Sequence, residues 1–215
     1  MSIKVSGGTK EDGIVTGNTY DKYGSGNPIV KIMMKGFESS LLELVNKAEP
    51  VDIHEIGCGE GHWVLTWNDM GLQVRGSDFS KYIIELANKN AKKRGVVTDL
   101  FEQKSIYELE KGKDDADLIV CCEVLEHLED PNAALKMLQS IVGRHLIVSV
   151  PREPLWCVLN LVRGKYIRSW GNTPGHLQHW SKKTFIQLVS EYFDIVEVKS
   201  PLPWTMLLCQ PLVNN

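Results

Sequence analysis

The stretch from Val51 to Trp63 reads VDIHEIGCGEGHW, a short strand-like run that passes directly into a glycine loop and then into a helical pattern. Glycines in such a loop let the backbone approach a ligand closely, and the helix that follows aims its free N–H groups at it. The spacing narrows the ligand. Glycines stand at 57, 59 and 61, whereas a dinucleotide fingerprint wants its third glycine at 62, which is His62. Asp78 lies 21 positions beyond Gly57, where an acidic side chain at a strand end accepts both hydroxyls of a ribose. Glu55 adds a carboxylate just before the loop, suited to a cationic ligand and poor for a pyrophosphate.

Outward from this loop the chain alternates. Asn27 and Pro28 open a helix whose apolar residues, Ile29, Ile32, Met33, Phe37, Leu41, Leu44 and Val45, recur at three- and four-residue steps. Strands are expected over 51–56, 73–78 and 100–104, and helices over 61–70 and 80–94, the last closed by Gly95. The unbroken apolar run DLIVCC, 117–122, fits a strand covered on both faces. Asp130 and Pro131 start another helix to about Val142, and a buried strand follows over 144–150. A helix over 181–192 and strands over 193–199 and 204–210 complete the pattern. This order predicts an α/β, Rossmann-like doubly wound sheet with ligands outside the carboxyl ends of its strands.

The bulk properties agree. A chain of 215 residues suits one domain, and 43% hydrophobic with 24% charged residues is an ordinary globular composition. No apolar run reaches the roughly 18 residues of a membrane helix, and Met1 to Gly8 lacks the apolar core of a signal. Cys58, Cys121, Cys122, Cys157 and Cys209 are an odd set without a C-x-x-C pair, which disfavours a disulfide framework and points to the cytoplasm. A net charge of −3 disfavours nucleic acid as a partner. Residues 1–26, rich in Gly, Ser, Thr and Asn, read as a flexible N-terminal arm; 27–215 form the domain. Tyr20 and Tyr23 in that arm are candidates to close over the loop.

With these residues in view, the chain resembles the class I S-adenosylmethionine (SAM) dependent methyltransferases, and within them the ubiquinone-pathway O-methyltransferase-like group. Residues 55–61 look like the motif E/D-x-G-x-G-x-G, Asp78 like the ribose-binding acid, and 122–127 (CEVLEH) like the segment after the fourth strand. The resemblance covers roughly Asn27 to Gln210. It implies seven strands, mostly parallel with an antiparallel last strand, and SAM as cofactor. It also implies cofactor contacts from Glu55, Gly57, Cys58, Gly59, Asp78, Phe79, Ser80, Ser105, Ile106 and Cys122, with Ser105 standing where members often carry Asp.

Glu123, Glu126 and His127 fall at i, i+3 and i+4, which on a helical turn puts two carboxylates and an imidazole on one face, a donor set for a divalent cation. Similar E-x-x-E-H strings are metal ligands in ubiquinone-pathway O-methyltransferases and in small-RNA 2′-O-methyltransferases, the latter with a further histidine after the fifth strand. His176 or His179 can fill that place here, giving Glu123, Glu126, His127 and His176 as a set for Mg, Mn or Zn. Without metal, His127, His176 or His179 can serve as general base, with Glu123 beside it.

Residues 151–180 hold three Pro and three Gly with little periodicity and read as a substrate-binding insertion. From 151 to 183, Arg152, Arg163, Lys165, Arg168, Lys182 and Lys183 face Glu153 alone. Together with Trp156, Leu159, Trp170 and Trp180 they suit a small aromatic or anionic acceptor. The leading expectation is methyl transfer to a hydroxyl of a small metabolite. The alternatives are a metal-free N-methyltransferase, an RNA 2′-O-methyltransferase and a non-catalytic SAM-binding subunit.

Overall fold

The computed structural model describes residues 3–11, 14–18, 20–97, 99–162, 164, 166–173 and 175–212. Arg163 and Lys165, and the side chain of Arg168, lie outside what it describes. A short antiparallel hairpin, β1 (Thr9–Glu11) and β2 (Ile14–Thr16), precedes helix α1 (Pro28–Ala48). As expected, Asn27 caps α1, its side chain accepting from the Ile29 N–H. There follow β3 (Asp52–Ile56), α2 (His62–Asp69), β4 (Gln73–Asp78), α3 (Lys81–Lys93), β5 (Phe101–Gln103) and β6 (Ala116–Cys122). The chain ends with α4 (Pro131–Ile141), β7 (Val142–Pro151), α5 (Leu155–Val162), α6 (Lys182–Ser190), β8 (Phe193–Lys199) and β9 (Trp204–Pro211).

Seven strands form one sheet in the order β5-β4-β3-β6-β7-β9-β8. β3 to β7 pair in parallel, and β9 runs antiparallel to both neighbours. The reason the central strands read as continuous apolar runs is visible in β6. Leu118 and Val120 pack under α1, while Ile119 and Cys121 pack under α4 and α6, so both faces are dry. Between β3 and β6 the winding reverses, which opens the crevice where doubly wound sheets take ligands.

Two features depart from the sequence reading. The insertion contains a helix, α5, whose sequence LWCVLNLV is apolar almost all round and carries no helical period to recognise. The first residues also have a defined seat: Ile3 is buried, and Lys4, Ser6 and Asn18 hydrogen-bond to the domain.

Candidate functional site

The crevice has two halves. In the first, β3 delivers Gly57, whose N–H and that of Cys58 donate to the Ser77 carbonyl at 2.8 and 3.0 Å. Gly57 is in the left-handed region, and a Cβ there would collide with Val124. Gly59 is left-handed as well, but a Cβ on it would meet nothing within 4 Å, so its bare face borders open space. Its N–H donates to Asp78 Oδ2 at 3.1 Å, while Ser80 N–H donates to Oδ1 at 3.0 Å, and the loop and the start of α3 thereby fix the Asp78 carboxylate. Glu55 is buried and keeps Oε2 without a hydrogen-bond partner among the described residues. Burial, then the nearby Asp78 charge, pushes its carboxyl well above the usual range. A cation brought to Glu55 removes that penalty, as the SAM amino group would.

The other expected cofactor residues surround this point unequally. Phe79 is exposed and offers a face, whereas Ser80 is fully buried and spends its hydroxyl capping α3. Ser105 caps a 3-10 turn (Ile106–Glu108) through the Tyr107 N–H, with Ile106 buried behind it. Cys58 is buried and Cys122 half-buried, and burial raises both thiols.

The second half starts where β6 ends. Glu123 adopts φ 61°, an uncommon conformation for a residue with a Cβ. It is followed by a 3-10 turn, Leu125–His127, instead of the expected helical turn on one face. Glu123 is consequently held apart: its oxygens accept from Ser149 Oγ at 3.1 Å and from the Trp204 indole at 2.6 Å. Burial, then Glu126, pushes its carboxyl up to about 8. Glu126, His127 and His176 do come together, with one ligand atom from each lying within 4.8 Å of the others. Glu126 is buried, its Oε2 has no hydrogen-bond partner among the described residues, and burial raises its carboxyl to about 8. The His127 Nδ1 lies 2.8 Å from the Gly175 carbonyl, which can only accept, so Nδ1 donates to it and Nε2, 4.0 Å from Glu126 Oε1, is the nitrogen left to face a ligand.

The insertion supplies the third member. The Leu177 and Gln178 N–H groups donate to the Glu126 carbonyl, pinning the insertion to the turn and setting His176 edge-on to His127 at 5.0 Å. Burial, then His127 and His179, holds the His176 imidazole down at about 3, so it is neutral and available as a ligand. His179 lies elsewhere, 3.5 Å from Glu153, and does not join this group. Of the insertion's aromatic residues, Trp156 stacks near His176 and packs against Trp204, forming a wall beside the cluster. Trp180 packs on Phe185 instead, and Trp170 is 84% exposed. Ser149, Thr173 and Trp204, which brace Glu123 and Trp156, had no local sequence signal; only the sheet brings them here.

A seven-stranded sheet with this glycine loop, a fixed acid at the end of β4 and an unsatisfied Glu55 is that of a class I SAM-dependent methyltransferase. Residues 35–198 match the model of the methyltransferase domain family, and the chain belongs to that family. It is 27% identical over 118 residues to the ubiquinone biosynthesis O-methyltransferase of Aeromonas salmonicida, covering 54% of this chain and 50% of the relative. To the protein of that name from Rickettsia conorii it is 26% identical over 165 residues, 75% of this chain and 55% of the relative. The chain thus spans about half the length of the curated relatives it matches. In fold it is similar to magnesium protoporphyrin IX methyltransferase from Synechocystis with bound SAH, with a TM-score of 0.67 and 20% identity over 89% of this chain and 91% of that one. Among the described residues no helix is long and apolar enough to cross a membrane.

Proposed function

We propose that the protein methylates a hydroxyl of a small metabolite and does so with a divalent cation, Mg, Mn or Zn, held by Glu126, His127 and His176. The observation that carries the cation is the buried Glu126 oxygen, without a hydrogen-bond partner among the described residues, beside the His127 and His176 rings, a donor set that a cation would satisfy. The oxygen acceptor is supported by the relatives named ubiquinone biosynthesis O-methyltransferase. SAM supplies an electrophilic methyl on a sulfonium, and a bound cation lowers the pKa of a coordinated hydroxyl.

The chain's own residues do the rest. Glu55 and Asp78 would hold the cofactor's amino group and ribose hydroxyls, which would restrict how it lies in the crevice. The Trp156 and Trp204 rings form an apolar wall that suits an aromatic acceptor and excludes water from one side of it. Glu123, braced by Ser149 and Trp204, holds the turn that presents Glu126 and His127.

The test is calorimetric titration of S-adenosylhomocysteine (SAH) with a chelator present, then of Mg²⁺, Mn²⁺ and Zn²⁺ into chelator-free protein. SAH is expected to bind in both conditions, and a metal to bind at one site that is lost in the Glu126→Ala/His127→Ala protein. SAH binding with no metal binding would retain the methyltransferase and remove the cation.

A further inference from the structure

The glycine loop carries one more acid, Glu60, to which the proposed function gives no part. Its carboxylate is buried and accepts three donors, all from the N-terminal arm: Ser6 N–H at 3.0 Å, Asn18 N–H at 2.8 Å and Asn18 Nδ2 at 2.5 Å. A second fastening lies beside it. The buried Asn90 amide of α3 joins the Lys4 backbone, in both directions at 3.0 Å, to the Glu60 carbonyl at 3.0 Å. Between the two, Gly17 is left-handed and so tightly enclosed that a Cβ would lie 2.5 Å from Ser6 Oγ and 2.6 Å from Glu60 Oε1. A buried carboxylate with three donors is held firmly, and one deprived of them is costly, so this fastening resists partial opening.

What the arm delivers is Tyr23. Its ring lies flat on His62 of α2, with centroids 3.5 Å apart and planes 9° apart, and meets Trp63 edge-on. Lys22 lies over the same ring at 5.4 Å. After burial, the charges that most oppose ionising the Tyr23 phenol include Glu55, on the cofactor side, and Glu123, on the acceptor side. The ring packs against the apolar cluster that holds both Trp63, beside the glycine loop, and Trp204, beside Glu123. Tyr20, by contrast, is 41% exposed.

We propose that the described part of the arm, 3–11, 14–18 and 20–23, is a clasp fastened to the cofactor loop at Glu60, and that Tyr23 is a positioning residue the clasp sets against the cofactor. The inference rests on the methyltransferase reading, because it needs SAM or SAH in the crevice. Closure and binding then favour each other, and a protein whose clasp is open part of the time binds the cofactor more weakly by the closed fraction.

The experiment titrates SAH into wild-type protein and into the Gly17→Ala, Asn18→Ala, Tyr23→Ala and Tyr23→Phe variants, with circular dichroism to confirm folding. Amide hydrogen exchange of residues 3–18 is followed with and without SAH. Gly17→Ala and Asn18→Ala touch no residue assigned to the cofactor, yet each is expected to weaken SAH binding roughly tenfold. Asn18→Ala removes one side-chain bond and keeps the test open should Gly17→Ala not fold. Tyr23→Ala is expected to weaken SAH comparably and Tyr23→Phe to restore it, with exchange in 3–18 slowed by SAH in the wild type. Wild-type affinity in both Gly17→Ala and Asn18→Ala, or arm exchange unaltered by SAH, would overturn the clasp. Wild-type affinity in Tyr23→Ala would overturn the role of Tyr23. A wild-type protein that binds no SAH would instead overturn the cofactor reading itself.

Discussion

His54 and Glu126 are equally buried, each 2% exposed, and each sits beside the same central sheet, but they are bonded differently. Both ring nitrogens of His54 have partners, the Asp114 carbonyl at 2.9 Å and the Ser77 hydroxyl at 3.1 Å. Since the carbonyl only accepts, Nδ1 carries the proton and Nε2 accepts from Ser77. Glu126 keeps a buried oxygen with no hydrogen-bond partner among the described residues, beside two histidines. Burial of a polar group is therefore not what marks a site. Unfilled bonding capacity beside other potential ligands is the better mark, since Asn172 Oδ1 and Thr205 Oγ1 are also buried without a hydrogen-bond partner among the described residues yet join no such group.

The comparison breaks first at Glu126. Changing Glu126 and His127 together to Ala is expected to lower methyl transfer by on the order of a thousandfold while leaving SAH affinity within about twofold. A panel of hydroxylated aromatic acceptors with SAM as donor measures it. Turnover that survives the double substitution would make Glu126 a buried group like any other and leave the crevice with no assigned activator.

His54 gives the next largest effect, and its sign is opposite to that of the carboxyls. Burial holds its imidazole down at about 4, against 6.5 when unfolded. Above pH 6.5 both states are neutral and nothing is lost. As the pH falls from 6.5 toward 4, the unfolded chain takes up a proton that the native state refuses, so stability drops, by up to about 3 kcal/mol for a shift to about 4. Glu123 and Glu126, raised to about 8, act the other way: stability they hold at low pH is lost as the pH rises above 4.5 toward 8. The difference between wild type and His54→Gln cancels those carboxyls. Urea midpoints from pH 7 to 4 should diverge, the wild type losing ground, and parallel curves would mean His54 is not held neutral.

Legibility in the sequence followed the same division. The fold was readable because its signals are local: an alternating run into Gly57, a cap at Asn27, a two-sided apolar strand at 117–122. The neighbourhood of Glu55, Gly59 and Asp78 was readable for the same reason, since the three belong to one strand-loop-strand unit. The acceptor half was only partly so. Spacing alone put Glu123 with Glu126 and His127, but a left-handed Glu123 followed by a 3-10 turn sends its carboxylate to Ser149 and Trp204, partners 26 and 81 positions away. His176 and His179 are equivalent in sequence, and what separates them is the Leu177 and Gln178 N–H bonding to the Glu126 carbonyl. The arm was read from its composition as loose, because Glu60 shows its three donors only after folding.

The smallest effect sharpens the contrast within the glycine loop itself. Gly57 and Gly59 share a left-handed backbone, so Ala at either costs about 1 kcal/mol for conformation alone. At Gly57 the new methyl also meets Val124, whereas at Gly59 it meets nothing within 4 Å. Gly59→Ala should consequently lower the unfolding free energy by only that 1 kcal/mol, and Gly57→Ala by clearly more. If the cofactor lies in the open space beside Gly59, as the proposed function requires, SAH affinity should fall further than stability does. Chemical denaturation paired with SAH titration separates the two quantities. A Gly59→Ala protein that binds SAH as the wild type does would mean that the cofactor passes elsewhere, and that the open face of this glycine serves only the turn.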